Sequence, residues 1–142
     1  MEDNILISFS IDTTAGIVTL EYTGDPSFNE WASTMDVVLH DAAFRPGYGL
    51  LLDRSQLTTA PETHYIQRVV EYVQVHESQL GGSRVATLVN SLAAYGMARM
   101  AEILLDDTTE TVRVFYDRVK ALEWIRRADT PCIDDRSFLL TL

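Results

Sequence analysis

The closing segment of the chain, residues 111–127, most constrains its fold, because a short apolar run leads through one acidic residue directly into an amphipathic stretch. The segment reads TVRVFYDRVKALEWIRR. Its first residues are rich in valine and aromatic side chains, which favour a pleated, largely buried strand. Asp117 then suits the N-cap of a helix whose apolar positions are Val119, Leu122, Trp124 and Ile125. The segment therefore predicts a β-α unit.

The rest of the chain predicts the same alternation of strands and helices. Residues 5–11 and 17–22 alternate apolar with polar side chains around a polar turn, which indicates a β-hairpin. Gly49–Asp53 and Arg84–Val89 are short apolar runs of the kind buried on both faces of a parallel sheet. Helices are predicted from caps or first residues at Ser27, Thr59 and Leu92. The order ββαβαβαβα predicts an α/β fold with about five strands in one mixed sheet, mostly parallel with an antiparallel N-terminal hairpin, and helices packed on it.

Length and composition fit one domain over residues 1–142. Hydrophobic residues make up 46% of the chain and charged residues 23%, as in ordinary globular proteins. We expect the folded core over about 5–127 and a C-terminal tail over 128–142, which docks on its own domain or in a dimer. A lone cysteine, Cys132, an acidic N-terminus and the lack of a long apolar run predict a cytoplasmic protein.

The acidic excess disfavours two classes of partner. The chain has 21 acidic and 11 basic residues, a formal net charge of -10. Nucleic acid phosphates and anionic membranes are repelled by such a field. The sequence therefore predicts no nucleic-acid partner and no membrane insertion, while the charge itself favours solubility.

Two stretches give the chain a resemblance to a known superfamily. Residues 53–55 form a D-x-S element after a predicted central strand. The closing segment fits V-x-V-F followed by D-x-x-x-A-x-x-W-[LI], with Asp117, Ala121 and Trp124 at the matching positions. In these features the chain resembles the SpoIIAA-like, or STAS-type, superfamily, and the resemblance covers most of the predicted core. It implies a SpoIIAA-like fold in a small bacterial protein.

The resemblance implies two kinds of function. Members include anti-sigma factor antagonists, cytoplasmic domains of anion transporters, and small bacterial proteins similar to the lipid-binding SEC14 domain. It therefore implies a non-enzymatic regulatory or protein-interaction module, acting on a protein partner or on itself as a homodimer. The alternative is a binder or carrier of a small apolar or lipid-like ligand held between helices and sheet.

Antagonists of this superfamily are regulated through a phosphorylated serine in a D-S-S-G-L-G motif. Residues 56–62 read QLTTAPE at the corresponding place, without the paired serines or the glycines. Ser55, Thr58 and Ser91 are nevertheless phosphorylation candidates, because they lie near predicted helix N-termini that favour a phosphoryl group.

Polar side chains at the predicted strand ends mark the candidate site. In an open α/β sheet, ligands bind beyond the carboxyl ends of the parallel strands. The methionine-rich helix that begins at Leu92 suits either an apolar pocket or ordinary core packing. Several of the strand-end groups also suit a purely structural role as helix caps. The candidate ligand or partner residues are Asp53, Arg54, Ser55, Asn90, Ser91, Tyr95, Met97 and Asp117.

The sequence offers little support for catalysis. It contains no Walker loop, G-x-S-x-G elbow or H-E-x-x-H pair. The histidines are predicted at or near helix ends instead of beside a nucleophile, at His40, His64 and His76. A hydrolase that uses Ser55 or Ser91 is therefore the third alternative. We expect no catalytic residue, no metal and no cofactor.

Overall fold

The computed structural model describes residues 6–126. The predicted tail over 128–142, with Cys132, and the first residue of the predicted core, Ile5, lie outside the described residues. The described strands are β1 (Ile7–Asp12), β2 (Ile17–Tyr22), β3 (Gly49–Asp53), β4 (Arg84–Leu88) and β5 (Thr111–Phe115). The described helices are α1 (Phe28–His40), α2 (Thr63–Val75), α3 (Glu77–Leu80), α4 (Leu92–Leu104) and α5 (Arg118–Arg126).

The five described strands form one sheet in the order β1-β2-β3-β4-β5. The pair β1-β2 is antiparallel and the other three pairs are parallel, so the predicted mixed sheet with an N-terminal hairpin is confirmed. The register aligns one residue from each of four strands in a row across one face. These residues are Leu20, Leu52, Thr87 and Val114.

The strand order explains where the helices lie. Each parallel strand is hydrogen-bonded to the strand that precedes it in the chain, so every helical crossover advances in one direction across the sheet. Crossovers of one hand then place their helices on the same face. On that face α1, α2 and α4 cover Val18, Leu20 and Val85. The opposite face is packed by α5, whose Ala121, Trp124 and Ile125 contact Leu51, Ala86 and Leu88.

The opposite face changes from apolar to polar across the sheet. Under α5 it is apolar, whereas β1 and β2 present hydrophilic side chains there, at Ser8, Ser10, Thr19 and Glu21. In the same two strands the alternate residues Ile7 and Leu20 are buried on the helical face. The period-two pattern of the N-terminal hairpin therefore predicted correctly which residues face the core.

The first helix begins and ends as the sequence predicts. The Ser27 side chain accepts a hydrogen bond from the Glu30 amide at 3.1 Å, and the Ser27 amide donates to Glu30 Oε1 at 2.7 Å. These reciprocal bonds form a capping box. The helix ends at His40.

The predicted start of the second helix is wrong. α2 begins at Thr63, and the Thr59 hydroxyl donates to Asp25 instead of capping a helix. Pro61 explains the difference, because a proline restricts the preceding residue to extended backbone and so prevents a helix from running through Ala60.

The described helices are all short. After α2 ends at Val75, the one-turn helix α3 follows. The helical segment ends at Gly81, which adopts the left-handed conformation with a φ of 71°. The sequence predicted this end but not the separate turn. The longest described helices have 13 residues, and no helix within residues 6–126 is long and apolar enough to cross a membrane.

Candidate functional site

A small cavity lies between the sheet and helices α2 and α4. Its volume is about 60 Å³. Its position matches the expectation for open α/β sheets, because it adjoins the carboxyl ends of the parallel strands. Most of its lining is apolar and comes from the sheet side and both helices, including Leu52, Ile66, Val69, Val89, Ala94, Ala98 and Ala101.

Small side chains on α4 leave the space for this cavity. Ala94, Ala98 and Ala101 recur at positions i, i+4 and i+7, so they share one face of the helix. Ala94 and Ala98 are buried. Since alanine has only a methyl group beyond the backbone, this face of α4 leaves space unfilled between the helix and the sheet.

The residues predicted to line a pocket on this helix have other neighbours. Met97 packs with Ile66, Val70 and Val112 in the core. The Tyr95 ring stacks on the Tyr116 ring with centroids 5.1 Å apart. Tyr95 and Met97 therefore do not line this cavity, whose α4 wall is formed by alanines, and their part in a ligand or partner site stays a prediction.

Arg54 places a buried positive charge at the cavity wall. Its exposed fraction is 6%. Its Nη2 donates to Asp25 Oδ1 at 2.5 Å, and its guanidinium lies 4.8 Å from the centroid of the Tyr22 ring. Its Nε has no hydrogen-bond partner among the described residues. A buried donor without a partner costs free energy.

Tyr65 brings a second unpaired polar group to the same wall. Its hydroxyl oxygen is buried and has no partner at ordinary hydrogen-bond geometry within the described part of the chain, although the Arg54 side chain lies close enough to interact with it. Burial chiefly raises the pKa of Tyr65 above its ordinary value, with a further contribution from Tyr22, while the nearby Arg54 opposes the shift. The Tyr65 hydroxyl therefore stays protonated at neutral pH and can donate a hydrogen bond.

The hydroxyl group of Tyr22, which also lines the cavity, already has a hydrogen-bond partner. Tyr22 accepts a hydrogen bond from Trp31 Nε1 at 3.1 Å. Burial raises the pKa of Tyr22 to about 12, although Arg54 and the Trp31 bond act in the opposite direction. Among the residues that line the cavity, Arg54 and Tyr65 have a buried polar atom without a partner in the described part of the chain.

Asp25 connects Arg54 to the loop before α2. One carboxylate oxygen accepts from Arg54 and the other accepts from the Thr59 hydroxyl. A second, outer hollow has Pro61 and Tyr65 in its lining, as the cavity does. The two spaces therefore adjoin at these residues, beside the loop that Asp25 holds. The other residues of the outer hollow are Asp25, Pro26, Ala60 and Glu62.

Asp53 and Ser55 organise the D-x-S turn itself. Asp53 Oδ1 accepts from the Ser55 amide at 3.0 Å and from the Ser55 hydroxyl at 2.5 Å. Asp53 Oδ2 accepts from Arg118 of α5, with which it forms an ion pair. These contacts tie the end of β3 to the helix on the opposite face, away from the cavity.

Two other strand-end candidates cap helices. Ser91 Oγ accepts from the Ala94 amide at 3.1 Å at the start of α4, and Asp117 Oδ1 accepts from the Val119 amide at 2.9 Å at the start of α5. Asn90 is exposed. Of the eight candidates, Arg54 lines the cavity, while the caps confirm the structural role that the sequence also allowed.

The phosphorylation candidates have different environments. Ser55 and Ser91 are half-buried and use their hydroxyl groups in the turn and the cap. Thr58 is exposed but lies ahead of α2, which begins at Thr63, and so outside its first turn. Phosphorylation of these residues stays a prediction.

The two histidines with ring hydrogen bonds contact main-chain carbonyl groups. His40 Nδ1 lies 2.8 Å from the Asp36 carbonyl oxygen, and His76 Nδ1 lies 2.8 Å from that of Tyr72. His76 also stacks on the Tyr72 ring, with centroids 3.9 Å apart. Residues 6–126 contain no group of three or more histidine, cysteine or acidic side chains that could hold a metal ion.

Tyr65 and Asp25 were not among the site residues predicted from the sequence. Asp25 meets Arg54 across 29 positions of sequence, which no local pattern reveals. The alanine spacing of α4 was the available signal, since a stripe of small residues on an otherwise apolar helix permits a gap against the sheet.

Comparison with known proteins identifies the fold. No family model matches the chain, and no curated protein matches it. Among solved structures, the chain is similar to an uncharacterised protein of the DUF3478 family with a SpoIIAA-like fold, from Shewanella loihica PV-4. The identity is 18% and the TM-score 0.58, over 88% of this chain and 98% of that one. The chain therefore has a SpoIIAA-like fold, as its D-x-S element and closing strand-helix unit predicted.

Proposed function

We propose that this protein is a non-enzymatic module that binds a small, largely apolar molecule in the cavity between the sheet, α2 and α4. One observation carries the proposal: an apolar cavity is lined by Arg54 and Tyr65, each of which has a buried polar atom without a partner among the described residues. Small-molecule sites usually combine an apolar lining with a few convergent polar groups.

The cavity volume limits the size of the ligand. At about 60 Å³ it is smaller than the ~150 Å³ engineered cavity that admits benzene. A compact molecule fits the space as it stands, whereas a long acyl chain does not. The proposal therefore favours a sensor or carrier of a small molecule over a carrier of membrane lipids.

The hydrogen bonds of the candidate nucleophiles support binding over catalysis. The Ser55 hydroxyl donates to Asp53, and the Ser91 oxygen caps α4. A catalytic serine commonly relies on a histidine base within hydrogen-bond reach. His40 and His76 are instead directed at backbone carbonyl groups of their own helices.

A larger side chain on α4 that fills the cavity tests this function. Ala98 lines the cavity and is 7% exposed, whereas Ala93 is exposed on the same helix. We expect Ala98→Leu to abolish binding of small aliphatic compounds in saturation-transfer NMR, because its side chain occupies the space. The control Ala93→Leu should bind as the unchanged protein does. Circular dichroism should show both variants folded.

Two outcomes would contradict this function. In the first, the unchanged protein binds no member of a broad set of compact compounds. In the second, Ala98→Leu retains the same binders as Ala93→Leu, which would place them elsewhere. If Ala98→Leu does not fold, the smaller change Ala101→Val at the same wall replaces it.

A second candidate function is association with another copy of the chain through the outer face of α4. The SpoIIAA-like fold supports a STAS-type interaction module. Leu92 is 83% exposed and Ile103 is 63% exposed, and the open surface at Gly96 lies between them. α4 packs beside β5, which lies at the edge of the sheet. An exposed apolar helix beside a sheet edge favours an interface.

Sedimentation equilibrium tests this association. We expect concentration-dependent dimers that Leu92→Glu weakens, because a carboxylate would be buried at the interface. The control is Val75→Glu on α2, where the side chain is also exposed, at 77%. A monomer at all concentrations, or an equal effect of both variants, would exclude the α4 face as the interface.

A further inference from the structure

The last strand of the described sheet has one side without a neighbouring strand. β5 stands at the end of the strand order, so within residues 6–126 only β4 pairs with it. The Thr111 amide donates to the Ser83 carbonyl at 3.0 Å, on the β4 side. Because successive residues of a strand direct their main-chain groups to opposite sides, those of Val112 and Val114 are directed to the open edge. These groups make no hydrogen bond to another described residue.

Two arginines without ion pairs lie beside this edge, on the face of the sheet that α5 packs. The guanidinium groups of Arg84 and Arg113 lie 5.1 and 5.7 Å from the centroid of the Trp124 ring. Arg84 Nη1 donates to the Trp124 carbonyl at 2.9 Å. Neither arginine forms an ion pair with a carboxylate of the described chain, and Arg113 is exposed. The edge therefore carries positive charge in a chain of net charge -10.

The neighbouring charged residues do not neutralise this positive charge. On α5 the exposed Glu123 lies between two exposed cations, Lys120 and Arg126. Asp117 follows the far end of β5, where it caps α5. Glu110 precedes β5 but is only 3% exposed and accepts from a main-chain amide of the loop before β4. The exposed charge along β5 itself is therefore that of Arg113.

We infer that the open edge of β5 binds an extended acidic segment of a partner protein, which adds to the sheet as a further strand. In this kind of recognition, main-chain hydrogen bonds provide affinity and side chains at alternate positions provide specificity. The bonds would be made to Val112 and Val114. Acidic side chains on the α5 face of the added strand would lie beside Arg113, and opposite charges on neighbouring strands stabilise the pairing. The cavity lies on the other face of the sheet, so the inference is independent of the proposed function.

Charge favours this partner over a second copy of the chain at the same edge. Two copies paired through β5 by a two-fold axis would bring their Arg113 side chains close together. Like charges on neighbouring strands are destabilising, and charged side chains on edge strands protect many proteins from pairing with themselves. An acidic segment instead gains a favourable contact with Arg113.

The probe is a capped hexapeptide of alternating glutamate and valine, compared with a counterpart that has lysine in place of glutamate. The measurement is made in ~150 mM salt, which screens long-range repulsion from the net charge of the protein. Titration calorimetry should give the unchanged protein a preference of at least about tenfold for the acidic peptide. The main-chain amide signals of Val112 and Val114 should be among those that shift most in NMR spectra on binding.

Methyl groups on the peptide amides test the main-chain pairing. With glutamate on the α5 face, antiparallel addition directs the valine amides at β5, whereas parallel addition directs the glutamate amides at it. One peptide is methylated at its valine amides and the other at its glutamate amides. We expect one of them to lose binding and the other to keep it. An equal effect of the two methylations would overturn pairing through the strand edge.

The charge contact is tested by Arg113→Glu. It should weaken binding of the acidic peptide at least about fivefold, because it replaces attraction by repulsion. The matched control is Arg68→Glu on α2, which changes the net charge equally. Arg68 is also exposed, and its guanidinium lies 4.2 Å from the centroid of the Phe28 ring. Equal weakening by the two variants would overturn a specific role of Arg113.

The remaining outcomes concern the unchanged protein, so they decide the inference even if Arg113→Glu does not fold. No binding of the acidic peptide, or equal affinity for its lysine counterpart, would overturn the acidic partner. A peptide with the sequence of residues 128–142 serves as a further probe. Tighter binding of that peptide at the same edge would assign the edge to this chain's own segment instead of a partner.

Discussion

Three tyrosine residues of the helical face carry hydroxyl groups that are hard to ionise. Burial chiefly raises the pKa values of Tyr22, Tyr65 and Tyr72, and that of Tyr22 reaches about 12. For Tyr72 a second cause is the hydrogen bond that it donates to Asp36 Oδ1 at 2.6 Å, since the carboxylate disfavours a tyrosinate. Through each of these residues, the free energy of unfolding therefore depends on pH in the alkaline range.

The first prediction concerns alkaline stability. Unfolded tyrosine ionises near pH ~10, and the folded residues ionise at higher pH, so above ~10 the unfolded state binds fewer protons. The free energy of unfolding should be fully retained below pH ~10 and fall as the pH approaches ~12. Urea denaturation over this range measures it.

The variant Tyr72→Phe provides the comparison. It removes one of the three contributions, so its unfolding free energy should fall less steeply with pH than that of the unchanged protein. Equal slopes would assign the alkaline loss to other groups. A flat profile of the unchanged protein up to pH ~12 would contradict the raised pKa values.

At the residue scale, local contacts were predictable and distant ones were not. Ser27 and Asp117 cap helices only two or three positions away, so spacing along the chain reveals their roles. Arg54 was selected for its place after a strand, but its burial depends on Asp25 and Tyr22, which other elements supply. No pattern within a short window contains that information.

Among the elements, β3 and α5 approach each other closely at Gly49. A Cβ atom on Gly49, the first residue of β3, would collide with the Ile125 Cγ2 atom of α5. The branch point of isoleucine at Cβ gives its Cγ2 little freedom to move away. In contrast, nothing lies within 4 Å of a Cβ atom on Gly96 of α4.

The second prediction uses these two glycines as a matched pair. Gly49→Ala should lower the free energy of unfolding by about 1–3 kcal/mol through overpacking. Gly96→Ala should raise it by about 0.5–1 kcal/mol, because alanine favours the helix and meets no obstacle. Chemical denaturation of both variants measures the difference. Equal changes, or a neutral Gly49→Ala, would show that α5 does not pack closely on β3.

The presence of each helix and strand was easier to predict than which of its sides borders the core or the cavity. The apolar stripe of α1 gave its length and end correctly because its cap and periodicity agree. α4 is apolar around most of its circumference, so periodicity alone could not decide whether the methionine or the alanine side borders the cavity. Packing against Ile66 and Val112 settles it, with Met97 in the core.

At the scale of the whole molecule, the charge affects any contact between copies. Each chain carries a formal net charge of -10, so two copies repel each other at low ionic strength. The screening length falls from ~30 Å at ~10 mM salt to ~8 Å at ~150 mM. The α4 face contributes the apolar residues Leu92 and Ile103 to the contact, which salt does not weaken.

The third prediction follows for self-association through α4. Its dissociation constant should decrease when salt is raised from ~10 mM to ~150 mM, because screening removes repulsion without weakening apolar contacts. Sedimentation equilibrium at both salt concentrations measures this change. Weaker association at the higher salt would indicate an interface built on ion pairs, and so would contradict an apolar α4 contact.

The sequence predicted the order of strands and helices along the chain and a mostly parallel sheet with an antiparallel hairpin, because alternation of strands and helices restricts the topology strongly. It offered a pocket between helices and sheet as one alternative, but it did not predict the walls of the cavity, which come from the sheet, α2 and α4 together. A cavity arises where three surfaces fail to fill a common space. Its volume depends on their relative placement, which composition and periodicity leave undetermined.

The consecutive strand order also bears on how the chain folds. Because each described strand after the first pairs with its predecessor, the sheet grows by contacts between segments close in sequence, and within residues 6–126 no strand inserts between two that are already paired. Each new strand pairing then closes only a short loop and costs little conformational entropy. This favours rapid folding for a largely parallel sheet. A chain leaving the ribosome can add one β-α unit at a time to the N-terminal hairpin.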